Sequence, residues 1–225
     1  MKAMILAAGR GERMRPLTDT IPKPLLRLGG RPIIERTIEC LARAGIVQLV
    51  INHAHLGHLI EAALGDGRRL GVSIRYSAEA EALETAGGIA NALPLLGDEP
   101  FLAVNGDIYC DFDFATLRAH RLGTALAHLV LVGNPPHHPQ GDFAIFGEEA
   151  RDEGSPRWTY SGIGVYRPEF FVSVRPGDKA RLAPLLRTAM ARGLVTGEIS
   201  LREWHDIGTP ERLESLERRL GARRA

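Results

Sequence analysis

Lys2-Ala3-Met4-Ile5-Leu6-Ala7-Ala8-Gly9-Arg10-Gly11-Glu12-Arg13-Met14-Arg15-Pro16-Leu17-Thr18 opens the chain after its initial methionine. A short apolar strand, Lys2 to Leu6, runs into a loop of glycine, arginine and proline. Glycines at 9 and 11 let backbone amides approach an anion closely, and Arg13 and Arg15 bring charge that can fork onto phosphate oxygens. The pairing of strand and loop predicts a phosphate cradle. Met14 stands where a dinucleotide fingerprint would need its third glycine, and no Gly-Lys-Ser/Thr follows, so neither that motif nor a P-loop fits. Taken alone, the two glycines read equally as a turn with solvated arginines. Pro22-Lys23-Pro24-Leu25 shifts the balance. A lysine between two prolines has restricted backbone on both sides, which suits fixing one ammonium near a phosphate, with a surface turn as the alternative.

Outward from this segment the first half alternates helix and strand. Ile33, Ile34, Ile38 and Leu41 recur at helical spacing, with Pro32 near the first turn and Gly45 in the position of a C-terminal cap. Residues 48–52 read as a strand. Leu59, Ile60, Ala63 and Leu64 mark a helix ending at Gly65, 72–76 a third strand, 85–93 a helix, and 101–104 a buried strand that ends in Asn105-Gly106-Asp107. This rhythm predicts an α/β fold with a mostly parallel sheet, and such sheets bind ligands beyond the carboxyl ends of their strands. The second half changes character. Strand-like pieces at 127–132, 143–146, 158–160 and 162–166 read as antiparallel additions forming a lid or second pocket. Helices are expected over about 182–191 and 210–220, separated by segments at 195–199 and 204–206. The tail 221–225, with Arg223 and Arg224, is expected to fray. No linker or internal repeat interrupts residues 1–225, so one core with two lobes is the expectation.

Composition agrees with this reading. Of 225 residues, 44% are hydrophobic and 24% charged, which excludes disordered, fibrous and membrane classes. Twenty-eight basic residues against 27 acidic ones leave no field to attract a polyanion, so no nucleic-acid partner is expected. Cys40 and Cys110 have neither the count of a disulfide scaffold nor the spacing of a metal site and read as reduced and buried. Arg10, Glu12, Arg13 and Arg15 cut the first apolar run below the length of a signal peptide, and no stretch approaches the roughly 20 residues that span a bilayer. A cytoplasmic protein without a membrane partner is expected, as a monomer or small homo-oligomer.

Gly-x-Gly-x-Arg-Met-x-Pro-Leu-Thr followed by Pro-Lys-Pro-Leu resembles the signature of the sugar-1-phosphate nucleotidylyltransferases. The likeness continues through Leu83-Glu84-Thr85-Ala86-Gly87-Gly88, Asn105-Gly106-Asp107 and Trp204-His205-Asp206-Ile207-Gly208-Thr209. Within that family, Gly11-Glu12-Arg13-Met14, the loop Asn134 to Phe143 and Leu182 to Arg187 resemble the branch that uridylylates the α-1-phosphate of N-acetylmuramate in peptidoglycan recycling. The hexapeptide repeats that larger relatives append do not occur in this sequence.

The resemblance implies a Rossmann-like nucleotidyltransferase fold. It makes about 1–126 the nucleotide half and about 127–225 the sugar half, with Asp206 returning to a metal site. UTP and a sugar 1-phosphate are the implied substrates. Ala8, Gly9, Gly11, Glu12, Arg13 and Lys23 would line the triphosphate, Arg13 stabilising departing pyrophosphate and Lys23 neutralising the reacting phosphates. Asp107 and Asp206 would hold Mg²⁺, a cation that takes one or two carboxylates together with substrate phosphates. Glu79, Gly87 and Gly88 would surround the nucleobase, and Asn105 and Asp142 would contact the sugar. From the residues themselves, Asp107 also reads as a turn aspartate, Asp206 as a helix N-cap before Pro210, and Asp142 as a turn residue after Gly141. A carboxylate from Glu79, Glu81 or Glu84 would suit guanine or cytosine as well as uracil. His137 and His138 lack further ligands at metal spacing and read as a polar loop or a sugar contact.

One feature departs from the family. Many relatives carry a Glu-Lys-Pro lysine for the sugar phosphate, and Glu148 to Tyr160 contains no lysine; Arg157, Lys179 and Arg187 are the candidates to replace it, with reliance on the metal as the alternative. The partner of a lactyl carboxylate is likewise open. Guanylyl- and thymidylyltransferases of the same family are alternative readings. Asp111-Phe112-Asp113 has the Asp-x-Asp form of a glycosyltransferase metal site, but capping of a helix from Asp113 explains it more simply. A silent regulatory relative would have lost Arg13, Lys23 or a metal acid, and all are present.

Overall fold

The computed structural model describes residues 1–222. The elements follow in chain order: β1 (Ala3–Leu6), β2 (Arg27–Leu28), β3 (Arg31–Pro32), α1 (Ile33–Arg43), β4 (Gln48–His53), α2 (Gly57–Leu64), β5 (Ser73–Ala78), α3 (Glu84–Leu96) and β6 (Phe101–Asn105). Next come β7 (Ile108–Cys110), α4 (Phe114–Ala119), β8 (Ala127–Val132), β9 (Phe143–Phe146), β10 (Glu149–Arg151), β11 (Arg157–Tyr166), α5 (Leu182–Met190), β12 (Val195–Ser200), β13 (Trp204–Asp206) and α6 (Pro210–Ala222).

One nine-stranded sheet runs through both halves in the order β5-β4-β1-β6-β11-β8-β12-β10-β9. The first four strands are parallel, with Ile5 opposite Ile51 on one side and Val104 on the other. The chain builds outward from β1 to β4 and β5, then returns to place β6 on the other flank of β1. Loops leaving β1 and β6 therefore diverge, and a crevice opens at their carboxyl ends. Beyond β6 the sheet is mixed and not purely antiparallel. β11 is antiparallel to both β6 and β8, whereas β12, which arrives through α5, is parallel to β8. A parallel neighbour needs such a crossover, and the short strand signals of this region did not reveal it.

The sheet is covered on both faces, which is why its central strands are continuously apolar. Alternation along β1 sends Ala3 and Ile5 into a cluster with Ile34, Ile38 and Leu41 of α1 and Ile60 of α2. Met4 points the other way, toward Ala86 and Ile89 of α3 and Leu186 of α5. A third cluster joins Met14 of the first loop, Leu28 and Ile33 to Ile207, Leu213 and Leu216, so α6 clamps the loop after β1.

Several expectations are adjusted. The pieces at 158–160 and 162–166 form the single strand β11, with a register shift between Tyr160 and Ile163 where Gly162 takes φ 79°. Helix α3 continues past Leu93 through Pro94 to Leu96. Gly221 and Ala222 belong to α6 and not to a frayed tail, while Arg223 and Arg224 lie outside the described residues. Cys40 and Cys110 are free thiols but only partly buried, because they line a surface cavity of about 500 Å³ between α1 and β7. Among the described residues no helix is long and apolar enough to cross a membrane.

Candidate active site

The crevice at the ends of β1 and β6 encloses about 470 Å³, and its lining includes Ala7, Ala8, Gly9, Arg10, Lys23, Asn52, Ala82, Glu84, Thr85, Asn105, Asp107 and Lys179. The loop after β1 folds into short helical turns at 12–14, 17–19 and 23–25. Gly11 makes this possible with φ 70°, and a Cβ there would meet Thr18 Cγ2 at 3.0 Å and Lys23 Cβ at 3.3 Å. Buried Thr18 closes the loop by donating from Oγ1 to the Gly11 carbonyl at 2.9 Å. Gly9 has open space where its side chain would be, leaving its backbone accessible to a ligand.

The cations differ in part from those expected. Arg10, not Arg15, lines the cleft: its guanidinium donates to the Thr18 carbonyl and to Asp19 Oδ1, both at 2.7 Å. Arg10 first, and Arg15 with it, hold the Asp19 carboxyl below the usual carboxylate range. Arg15 is spent on Asp19 at 2.9 Å and faces solvent. Glu12 is exposed and lies near Arg10 and Arg15. Lys23 is largely buried and pairs with Asp107, so the two residues fix one another at the cleft floor.

Asp107 follows a turn that only glycine can make, because a Cβ on Gly106 would come within 2.8 Å of the Leu6 carbonyl. β7 then pairs antiparallel with β13, setting Asp206 opposite Ile108, and Ile207 N donates to the Asp107 carbonyl at 3.0 Å. This ribbon brings Asp107, from the middle of the chain, together with Asp206 from near its end. Asp206 is a strand residue and not a helix cap; its carboxylate takes Arg212 on one oxygen and His137 Nε2, at 3.0 Å, on the other. A Cβ on Gly208 would lie 3.3 Å from Arg13 Nη2 and 3.2 Å from Asp206 Oδ2, which locates Arg13 at this second acid. The two carboxylates suit a hard cation that completes its shell with phosphate oxygens and water. Among the described residues no group of three or more acidic, histidine or cysteine side chains forms a self-sufficient metal cage.

Glu79, Gly87 and Gly88, which the resemblance places around the nucleobase, are not among the residues lining the cleft. Glu79 is buried, accepting Asn52 Nδ2 at 2.6 Å on one oxygen and Leu83 N at 2.9 Å on the other. Asn52 in turn accepts Ala7 N at 2.9 Å, which ties the first loop to the 79–83 loop. Gly88 packs on that pair, and Gly87 packs on the backbone of residues 178–180. The sequence signal for Asn52 is the one Asn105 gives, a polar residue at the carboxyl end of an apolar strand, one position before the last residue of β4. Glu84 begins α3 at φ 62°, a conformation costly for a side-chain-bearing residue, and lines the cleft there.

Asn105 leads into a second cavity of about 270 Å³, lined also by Glu84, Thr85, Asp142, Phe143, Tyr160, Arg181 and Leu186. Asp142 accepts His138 Nε2 at 3.1 Å and Tyr160 N at 2.8 Å. Burial pushes the Tyr160 phenol up, so it stays neutral, and it bonds the Tyr166 hydroxyl at 2.8 Å. Of the candidates for the missing lysine, Arg157 braces the Asp142 and Asp152 carbonyls, Arg187 pairs with Asp152 at 3.0 Å, and Lys179 lines the main cleft. Asp113 caps α4 through Ala115 N at 3.0 Å, as expected.

The profile of the nucleotidyl transferase family matches residues 2–222. The chain is 52% identical, over 99% of its length and 99% of the relative's, to N-acetylmuramate alpha-1-phosphate uridylyltransferase of Neisseria meningitidis. It is 32% identical to UTP--glucose-1-phosphate uridylyltransferase of Synechocystis, over 92% of this chain and 60% of that protein. A Bacillus anthracis structure assigned as a glucose-1-phosphate thymidylyltransferase superposes with a TM-score of 0.85 at 23% identity, covering 97% of this chain and 94% of the other. With the sequence match running the length of a fold that the superposition reproduces independently, the chain belongs to the nucleotidyl transferase family, enzymes that transfer nucleotidyl groups.

Proposed function

We propose that the protein transfers the uridylyl group of UTP to the phosphate oxygen of N-acetylmuramate α-1-phosphate, giving UDP-N-acetylmuramate and pyrophosphate. The observation that carries this reading is the 52% identity with the uridylyltransferase across 99% of both chains. A sugar 1-phosphate is already anionic at neutral pH. Its oxygen attacks the α-phosphorus in line, the bond to the β-phosphate bridging oxygen breaks, and no protein base is required.

Charge control is then the protein's task. The backbone at Gly9 and Gly11 and the Arg10 guanidinium receive the triphosphate, Lys23 neutralises the reacting phosphates, and Arg13 stabilises the departing pyrophosphate. Lys179, placed across the cleft from Lys23, takes the sugar phosphate in place of the missing Glu-Lys-Pro lysine. Asp107 and Asp206 would hold Mg²⁺, which would supply neutralisation of phosphate charge. Ala82 to Thr85 border the base, while Glu79, Gly87 and Gly88 act through packing that shapes this border. Asn105 and Asp142 border the sugar. The reading extends to a cytoplasmic role in peptidoglycan recycling as a monomer or small homo-oligomer.

The test is pyrophosphate release measured for UTP, dTTP, CTP and GTP crossed with several sugar 1-phosphates. UTP with N-acetylmuramate α-1-phosphate is expected to give the highest kcat/KM. A clear advantage for GTP with mannose 1-phosphate would overturn both specificities, and UDP release without pyrophosphate would overturn the reaction type.

A further inference from the structure

Residues 178–181 cross the start of α3 as an extended strap. Ala180 is pinned on both of its backbone groups: its N–H donates to the Leu83 carbonyl at 3.0 Å, and its carbonyl accepts Ala86 N at 3.0 Å and Gly87 N at 3.1 Å. A Cβ on Gly87 would stand 2.2 Å from the Asp178 carbonyl, so the strap lies as close as the backbone allows. On either side of this anchor stand two cations. Lys179 lines the main cleft with Lys23 and Asp107, and Arg181 lines the adjoining cavity with Asn105, Asp142, Phe143 and Tyr160. The two spaces share Glu84, Thr85 and Asn105, so one ligand can occupy both.

The charges around the second cavity leave Arg181 the most available. It is the one lysine or arginine among the residues lining that cavity, whose remaining walls include Phe143, Leu182 and Leu186. The Asp142 carboxylate is satisfied on both oxygens, by the His138 ring at 3.1 Å and Tyr160 N at 2.8 Å. Glu84 approaches Arg181 only to 3.9 Å, and the arginine side chain is 79% exposed. An exposed pair of this kind contributes little, so the guanidinium's donors are free to fork onto a different carboxylate.

We propose that Arg181 is a specificity residue that binds a carboxylate on the sugar, selecting acidic 1-phosphorylated amino sugars over neutral ones. With Lys179 on the phosphate, the strap meets both anionic ends of such a substrate from a single rigid anchor. This inference rests on the sugar class assigned under the proposed function, where the lactyl group of N-acetylmuramate supplies the carboxylate.

The experiment compares kcat/KM, with saturating UTP, for N-acetylmuramate α-1-phosphate and for N-acetylglucosamine α-1-phosphate, which lacks the lactyl acid. In Arg181→Ala the ratio of the two is expected to fall about 10- to 100-fold, as loss of a charge-assisted hydrogen bond predicts, mainly through KM for the acidic sugar. Arg181→Lys should retain part of the preference, and Lys179→Ala should weaken both substrates alike because both carry the phosphate. A parent that prefers the acidic sugar and an Arg181→Ala variant with an unchanged ratio would overturn the role of Arg181 and leave the proposed function standing. A parent with no such preference would overturn the sugar assignment and this inference together. The exposure of Arg181 keeps the variant informative, since little packing is lost.

Discussion

Gly11 combines a left-handed backbone with close contact on two sides. Its φ of 70° and the 3.0 Å and 3.3 Å separations of its would-be Cβ from Thr18 and Lys23 mean that Gly11→Ala strains the backbone and presses on both side chains at once. A cost of about 1–2 kcal/mol is expected in denaturant unfolding, with a fall in turnover beyond what the lost stability explains. Arg13 poses a different question. If it acts on departing pyrophosphate, its charge matters more in the transition state than in the ground state, so Arg13→Ala should lower kcat on the order of 10²- to 10³-fold while UTP affinity, read by calorimetry, changes far less. If Asp107 holds Mg²⁺ as proposed, Asp107→Asn should lower turnover and flatten its response to magnesium together, and it also removes the partner of Lys23. Lys23 and Asp107 were legible in the sequence because proline and glycine punctuation marks where a side chain is held. Glu79 was not, because a carboxylate does not announce whether a base or a neighbouring backbone N–H will receive it.

Two short elements do most of the positioning. The β7–β13 ribbon aligns Asp107 with Asp206, and Trp204 anchors it by donating from Nε1 to the Ser161 carbonyl at 2.9 Å. The strap at 178–181 places Lys179 and Arg181, and it depends on a bare Cα at Gly87. Gly87→Ala should overpack that contact, costing about 1–3 kcal/mol and raising KM for the sugar phosphate more than for UTP; equal effects on the two substrates would argue against the strap's placing the sugar-side cations. Neither element was read in full from the sequence. Three residues of β7 or β10 are too few to show a period, and the bulge at Gly162 split β11 into two apparent strands.

At the scale of the molecule, the continuous sheet buries His128, which couples folding to pH. His128 lies 3.8 Å from the His120 ring, centroid to centroid, and bonds Thr196 Oγ1 through Nδ1 at 2.9 Å. Its Nε2 is buried without a partner, and burial, with His120 second, lowers its pKa from 6.5 to about 4. Between those values the unfolded chain binds a proton that the fold does not, so stability falls as pH drops through this window and recovers as it rises. The loss between pH 7 and 5 should stay below about 2 kcal/mol. Glu198, whose carboxyl burial pushes up, opposes the trend by taking a proton more readily in the fold. Urea unfolding at stepped pH should show a shallower slope for His128→Asn than for the parent; identical slopes would assign the acid sensitivity elsewhere.

The sequence by itself determined the parallel half of the sheet, the glycine-rich loop that follows β1 and the positions of Lys23 and Asp107. Those features rest on local causes: apolar periodicity, the backbone limits of proline, and turns that only glycine can enter. The tertiary structure alone decided that Arg10 and not Arg15 faces the cleft, that Asn52 lines it while Glu79 braces Asn52 from behind, and that Lys179 reaches it while Arg157 and Arg187 do not. It also set Asp206 beside Asp107. Each of these depends on a strand register or crossover joining distant segments, and side-chain spacing along the chain carries no record of which segments will meet.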